Sequence, residues 1–205
     1  MQAVRFAVSP LLTAAAAPTV GVVRQVGADQ LSAPTPCSDW TVRQLVNHQL
    51  SGALALGSVA RKEQVPPPAE STADLIGDDW AARLEEEIDR LVAAWSEPSA
   101  WEGTVSLGGN ERPAAVVGGV VLTELVLHGW DLARATGLDA EWSDDVLEFV
   151  RGDLAKRIEQ GRQHRMFGPE VALPAGASDL DKLLGLSGRD PNWTPRPRNA
   201  TPRQS

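Results

Sequence analysis

Glu124 and His128 stand four residues apart in LTELVLHGWDLARATG, and a further histidine, His48, lies in TPCSDWTVRQLVNHQL. Four residues turn an α-helix through about 400°, so the first two side chains project from one face, one turn apart. Their segment is the most apolar of the chain, and an ionised carboxylate beside an imidazole in such surroundings needs a partner. A divalent cation satisfies both groups at once. A plain hydrogen-bonded pair, or a pair facing solvent, satisfies them too, and this spacing arises readily by chance. His48 shares a helical stripe with Trp40, Leu45 and Gly52, which turns it toward the core. Two of the three histidines in the chain therefore sit on inward faces of two helices. Helix bundles build metal sites from facing helices in this way. Two histidines and one carboxylate form a three-ligand set typical of open zinc or non-haem iron(II) sites, which leave positions for water or substrate. The metal ligands expected are thus His48, Glu124 and His128.

Other reactive side chains allow more than one role. Asp131, three residues past His128, can orient that imidazole as an outer hydrogen-bond acceptor or pair with Arg134. Cys37 precedes a helix start, where the dipole lowers a thiol pKa, but it also fits as a small residue filling a turn beside Pro36. His164, near Arg157, Arg162 and Arg165, reads as a partner of a helix C-terminus and as a distant candidate for a fourth ligand. There is no glycine-rich phosphate loop and no serine nucleophile elbow. No catalytic or cofactor-binding residue is assigned beyond the metal ligands.

These side chains need rigid elements to hold them. Residues 10–28 carry apolar positions at helical spacing and suggest a first helix that Gly27 helps to end. Met1 to Ala17 faintly resembles a signal peptide, but Ser9, Pro10 and Thr13 interrupt it, and it is read as the lead into that helix. Pro34 and Pro36 bracket a turn. Ser38 or Asp39 offers an N-cap for a second helix running to about Lys62, and Pro66-Pro67-Pro68 makes a stiff connector. From Thr72 to Ser96, Leu75, Ile76, Trp80, Leu84, Ile88, Leu91, Val92 and Trp95 recur at three and four residues, an amphipathic helix. Residues 97–113 form a connection in which Thr104–Leu107 suits a short strand. Residues 114–136 read as a buried helix closed by Gly137. Ser143 or Asp144 caps a further helix over about 145–161, and a short helix lies near Leu180–Leu184.

Helices separated by turns, with no strong strand run, predict an all-α fold, a four-helix bundle with an additional C-terminal helix. Residues 1–193 form that domain, and residues 194–205, with three arginines and almost nothing apolar, form a disordered basic tail. At 205 residues and 42% hydrophobic composition the chain can bury a sizeable core, to which its seven tryptophans contribute large apolar areas. The formal charge of -8 repels phosphate backbones and anionic lipid, which speaks against nucleic acid and membranes as partners. No apolar run is expected to span a membrane. Cys37 is the single cysteine, so an internal disulfide is impossible and a cytoplasmic location is expected.

Three segments carry a family resemblance: PTPCSDWTVRQLVNH, ELVLHGWDLARATG and FGPEVALPAGASDLDKLLGLSGRDPNW. Together they resemble the metal-binding helical proteins related to mycothiol-dependent maleylpyruvate isomerase, within the DinB-like superfamily, over roughly residues 10–193. The resemblance implies a DinB-like four-helix bundle holding a metal, usually zinc, through a histidine of the second helix and a Glu-x3-His of a later one. Those positions fall on His48, Glu124 and His128. The isomerase carries a further C-terminal domain that this sequence does not match, so its substrate is not expected to carry over.

The expected function is that of a metal-dependent enzyme acting with a low-molecular-weight thiol, as an S-transferase or isomerase. The resemblance suggests mycothiol as that thiol, with an electrophilic small molecule as the second substrate. The alternative is a non-catalytic metal-binding or stress-related bundle, although a structural zinc usually has four protein ligands. The sequence leaves open the metal, the substrate and the oligomeric state, a homodimer being admissible.

Overall fold

The structure is a computed structural model that describes residues 2–37, 40–63, 65 and 74–195, with side chains from residue 10 onward. Its main elements are four long helices: α1 (Gln2–Val23), α2 (Val42–Ala60), α3 (Trp80–Ser96) and α4 (Ala114–Thr136). Both α1 and α2 pack on α3 and on α4, which closes the four into a bundle. Leu12, Leu45, Leu84, Trp95, Leu122 and Leu132 are fully buried between them. The expectation of an all-α bundle holds.

Between α3 and α4 the chain forms a small antiparallel hairpin, β1 (Thr104–Leu107) with β2 (Asn110–Pro113), in register from Thr104 opposite Pro113 to Leu107 opposite Asn110. The first strand was expected. Its partner was not, because Asn110–Pro113 is polar and ends in proline, which gives no apolar alternation to read. Three shorter helices follow, α5 (Asp144–Ala155), α6 (Ile158–Gln163) and α7 (Asp179–Leu186). The helix expected over 145–161 is thus two, and α5 packs on α4 and α1 while α7 packs on α5.

Several boundaries differ from the sequence expectations. The first helix ends at Val23, and Gly27 instead precedes a single 3-10 turn, Ala28–Gln30. The second helix is capped by Thr41, whose side chain accepts from Gln44 N while Gln44 Oε1 accepts from Thr41 N at 2.8 Å, a reciprocal capping box. Ser38 and Asp39, expected as caps, lie outside the described residues, as do Pro66-Pro67-Pro68 and the tail from residue 196. The third helix starts at Trp80, not Thr72. Side chains hold the preceding residues out of the helix: Leu75 N donates to Asn47 Oδ1 at 2.7 Å, and Ile76 N to Asp74 Oδ1 at 3.1 Å.

The helix that matters most for function is α4. It is buried on nearly every side and is long and apolar enough, by length and composition, to cross a membrane, against the expectation from sequence. In this fold it is the central core helix, with 72% of its most apolar stretch buried against its neighbours. Gly137, left-handed at φ 71°, ends it, and Leu138 N returns to Ala133 O at 2.9 Å. Its rotation is fixed against α1: Thr19 Oγ1 donates to Leu125 O at 2.8 Å, and a Cβ at Gly129 would run into Thr19 Oγ1 and meet the Trp142 ring at 3.0 Å. That rotation aims the face carrying Glu124 and His128 at α2.

Candidate metal centre

The capping box at Thr41 starts α2 in the register that places His48 opposite that face. His48 Nε2 lies 3.0 Å from Glu124 Oε2, and His128 Nε2 lies 3.3 Å from the same oxygen. The imidazoles meet edge to face, with ring centroids 4.8 Å apart and planes at 78°. One ligand atom from each of the three residues lies within 4.8 Å of the others. Donors placed tetrahedrally at zinc bond lengths are about 3.3 Å apart, so the cluster fits a divalent ion with little rearrangement. The sequence-predicted residues are brought together as a set.

The far edge of His128 is held as firmly. Its Nδ1 lies 2.9 Å from Asp131 Oδ2, and Asp131 is fully buried. Arg189, from the segment after α7, donates to both carboxylate oxygens, Nε to Oδ1 at 2.8 Å and Nη2 to Oδ2 at 2.7 Å. Asp131 therefore orients His128, and Arg134 is engaged elsewhere, donating from Nη2 to Trp193 O at 2.8 Å. Sequence reasoning assigned Arg189 no role. The only signal was its place in the GRDPNW segment of the resemblance, because a contact between residues 131 and 189 leaves no local pattern.

Cys37 is part of this rear network. Its thiol donates to Asp131 Oδ2 at 3.1 Å and lies 3.8 Å from His128 Nδ1. It thus faces the ring edge opposite Nε2 and is not placed to be a fourth ligand beside His48 and Glu124. Cys37, His128 and Asp131 also converge as a possible ligand set, but the Arg189 guanidinium already fills both Asp131 oxygens and repels a second cation there. Thr35 shapes the loop that presents Cys37, its hydroxyl donating to Trp40 O at 2.9 Å. Trp40 lies across the histidines, its ring centroid 4.7 Å from that of His48 and 6.0 Å from that of His128. His164, exposed at the end of α6, belongs to no ligand cluster among the described residues.

The electrostatics follow from these contacts. Desolvation opposes the Glu124 charge, but His128 and His48 outweigh it and hold the carboxyl well below its usual range. Desolvation likewise opposes a charge on His128, yet Glu124, Asp131 and Cys37 together raise its pKa well above 6.5. Asp131 is held low against burial by Arg189 and His128. Both Glu124 and His48 remain about a third exposed, so the cluster opens to solvent on one side. On its inner side a chamber of about 30 Å³ is lined by His48, Glu124 and Gln49, whose buried Oε1 has no hydrogen-bond partner among the described residues. Beyond it, between α2 and α3, lies an apolar cavity of about 790 Å³ that shares Ala53 and Leu91 with the chamber.

A helical bundle with two histidines and a carboxylate converging on one partly open face defines the class: an all-α scaffold around a candidate metal centre. The chain belongs to the mycothiol maleylpyruvate isomerase N-terminal domain family, whose model matches residues 12–133 and so includes His48, Glu124, His128 and Asp131. It is also similar to two proteins of Mycobacterium tuberculosis, uncharacterized protein MT0763 of strain CDC 1551 and uncharacterized protein Rv0738 of strain H37Rv. Each is 31% identical over 172 residues, covering 82% of this chain and 90% of the relative. No solved structure matches the chain.

Proposed function

We propose that the chain is a divalent-metal enzyme, with zinc the leading metal, that joins a low-molecular-weight thiol of the mycothiol type to an electrophile or isomerises such an adduct. The observation that carries this is the convergence of His48 Nε2 and His128 Nε2 on Glu124 Oε2, with the cluster open on one side. A divalent ion held there would supply Lewis-acid chemistry, lowering the pKa of a bound thiol so that it could act as a nucleophile at neutral pH.

The chain's own residues do the rest. His48, Glu124 and His128 would hold the ion, and their single carboxylate would leave the site a net positive charge that favours an anionic ligand. Asp131 keeps the His128 proton on Nδ1, so that Nε2 offers its lone pair. The apolar cavity behind the chamber gives the acceptor's hydrocarbon body a place to shed water. Membership of a mycothiol-named family supports the thiol class.

A non-catalytic metal-binding bundle is the rival reading. A closed structural site usually has four protein ligands, and the side chain nearest to a fourth, Cys37, lies on the wrong edge of His128. The test is conjugation by zinc-loaded protein of mycothiol to chlorodinitrobenzene, in which a C–S bond forms, chloride leaves and the thiol proton goes to solvent. Metal-dependent conjugation that disappears in His48→Ala is expected. Its absence across several thiols and electrophiles overturns the enzyme reading.

A further inference from the structure

Arg189 lies well beyond residues 12–133 that the family model matches, yet its guanidinium reaches the rear of the candidate metal centre. Its bidentate grip on Asp131 is the most geometrically specific way to fix a carboxylate. Its Nη1 donates to Ser187 Oγ at 3.2 Å, and its Nη2 lies 3.7 Å from Cys37 Sγ.

The backbone is shaped to deliver this side chain. Arg189 N donates to Leu184 O at 2.9 Å. Gly188, at φ 85°, presses on Gly168, where a Cβ would stand 2.7–2.9 Å from backbone atoms, so only glycine fits. On the far side Arg134 anchors Trp193 O. A segment tied at both ends converges on one arginine, which meets one aspartate, which meets one candidate ligand.

We propose that Arg189 is a positioning residue for His128, acting through Asp131, so that docking of residues 187–193 and metal binding at His48, Glu124 and His128 are thermodynamically coupled. This rests on the metal reading of the site. Coupling is reciprocal: if the docked segment strengthens metal binding, the metal holds the segment down by the same factor. The competing explanation is that Arg189 only neutralises a buried carboxylate in the core.

Zinc affinity by competition with a fluorescent chelator separates the two, with thermal melts as the control for folding. Arg189→Met should weaken zinc binding by roughly 10–100-fold, the usual effect of losing an outer partner, and Arg189→Lys should recover part of it. The double variant Arg189→Met, Asp131→Leu removes both charges together, which relieves the unpaired acid but leaves Nδ1 of His128 without its acceptor. It should fold and still bind zinc weakly. Amide hydrogen exchange of residues 187–193 in wild type should slow when zinc is added. A folded double variant that binds zinc as tightly as wild type, or exchange in that segment indifferent to zinc, overturns the coupling alone. Wild-type protein that binds no divalent metal overturns both the coupling and the metal reading beneath it.

Discussion

His128 and Asp131, one turn apart on α4, are joined through Nδ1 and Oδ2 at 2.9 Å, with Asp131 wholly buried. This contact gives the imidazole two unlike edges. The inner edge is spent on a carboxylate that never meets water. The outer edge, Nε2, is left to Glu124 and whatever Glu124 and His48 share with it. Histidines bound to metals are held by an outer acceptor in the same way.

Glu124→Gln keeps the side-chain shape and removes its charge. Glu124 Oε2 touches both Nε2 atoms, so the change strips the cluster of its only direct anionic ligand. Zinc affinity by chelator competition should fall by more than the roughly 10–100-fold that loss of an outer partner brings. Zinc binding unchanged by the substitution would remove Glu124 from the ligand set.

The pH dependence should have opposite signs with and without metal. In metal-free protein the His128 pKa is raised, so its stabilisation is complete below the unfolded value of 6.5 and is lost as pH rises through the higher folded value. Glu124 and Asp131 are lowered, so their contributions are present above ordinary carboxylate values, about 4, and vanish only in strong acid. The metal-free melting temperature should therefore decline as pH rises from 6.5 toward 9. Zinc must displace the His128 proton, so its affinity should climb over the same range, with about one proton released per ion. Melts in chelator and in zinc at matched pH check both signs, and a metal-free melting temperature that rises above pH 6.5 contradicts the assignment.

The convergence of His48, Glu124 and His128 was legible in the sequence because its signals are local. Glu124 and His128 share one helical turn in an apolar segment, and His48 lies on α2 one turn after Leu45, although Trp40, read as part of the same stripe, precedes the helix. The bundle itself was legible for the same reason, since α3 repeats apolar residues at the helical period and α4 is a long apolar run closed by Gly137. What escaped depends on contacts across the chain. The start of α3 was read too early because Leu75 and Ile76 keep the helical period while Asn47 and Asp74 bind their amides. Arg189 was passed over because nothing near it in sequence marks its partner. Asp131 stayed ambiguous because Arg134, at helical spacing, is the nearer arginine in sequence, whereas Arg189 is the one that makes the contact.

Gly129→Ala tests whether the rotation of α4 sets the site. The added methyl meets Thr19 Oγ1 and the Trp142 ring, both on packed elements with little freedom to retreat. Overpacking of this kind costs about 1–3 kcal/mol, read by denaturant unfolding. Because Gly129 adjoins His128, zinc affinity should fall as well. Full retention of both stability and affinity would show that α4 can turn without disturbing the ligands.

Thr41→Ala removes one half of the capping box at the start of α2. Loss of such a cap costs about 1 kcal/mol, and the substitution should lower the unfolding midpoint accordingly. Since the cap lies two turns from His48, zinc affinity should change far less than in Gly129→Ala. An effect on affinity as large as that of Gly129→Ala would mean that the α2 start, not the α4 rotation, limits the geometry of the site.

Trp40 offers an optical report on the same cluster. Its ring lies 4.7 Å from His48 and 6.0 Å from His128, centroid to centroid, whereas Trp95 and Trp101 meet each other edge to face elsewhere, at 5.3 Å. A paramagnetic ion such as cobalt(II) or nickel(II) held by the three ligands sits within a few ångströms of the Trp40 indole and should quench it selectively. Zinc, which is diamagnetic and has no d–d absorption, should shift the emission with little loss of intensity. Trp40→Phe keeps an aromatic ring against His48, so zinc affinity should change by only a few-fold while most of the cobalt-induced quenching disappears. Quenching that survives undiminished in Trp40→Phe would show that Trp40 is not the tryptophan that senses the bound ion, contrary to its place across His48 and His128.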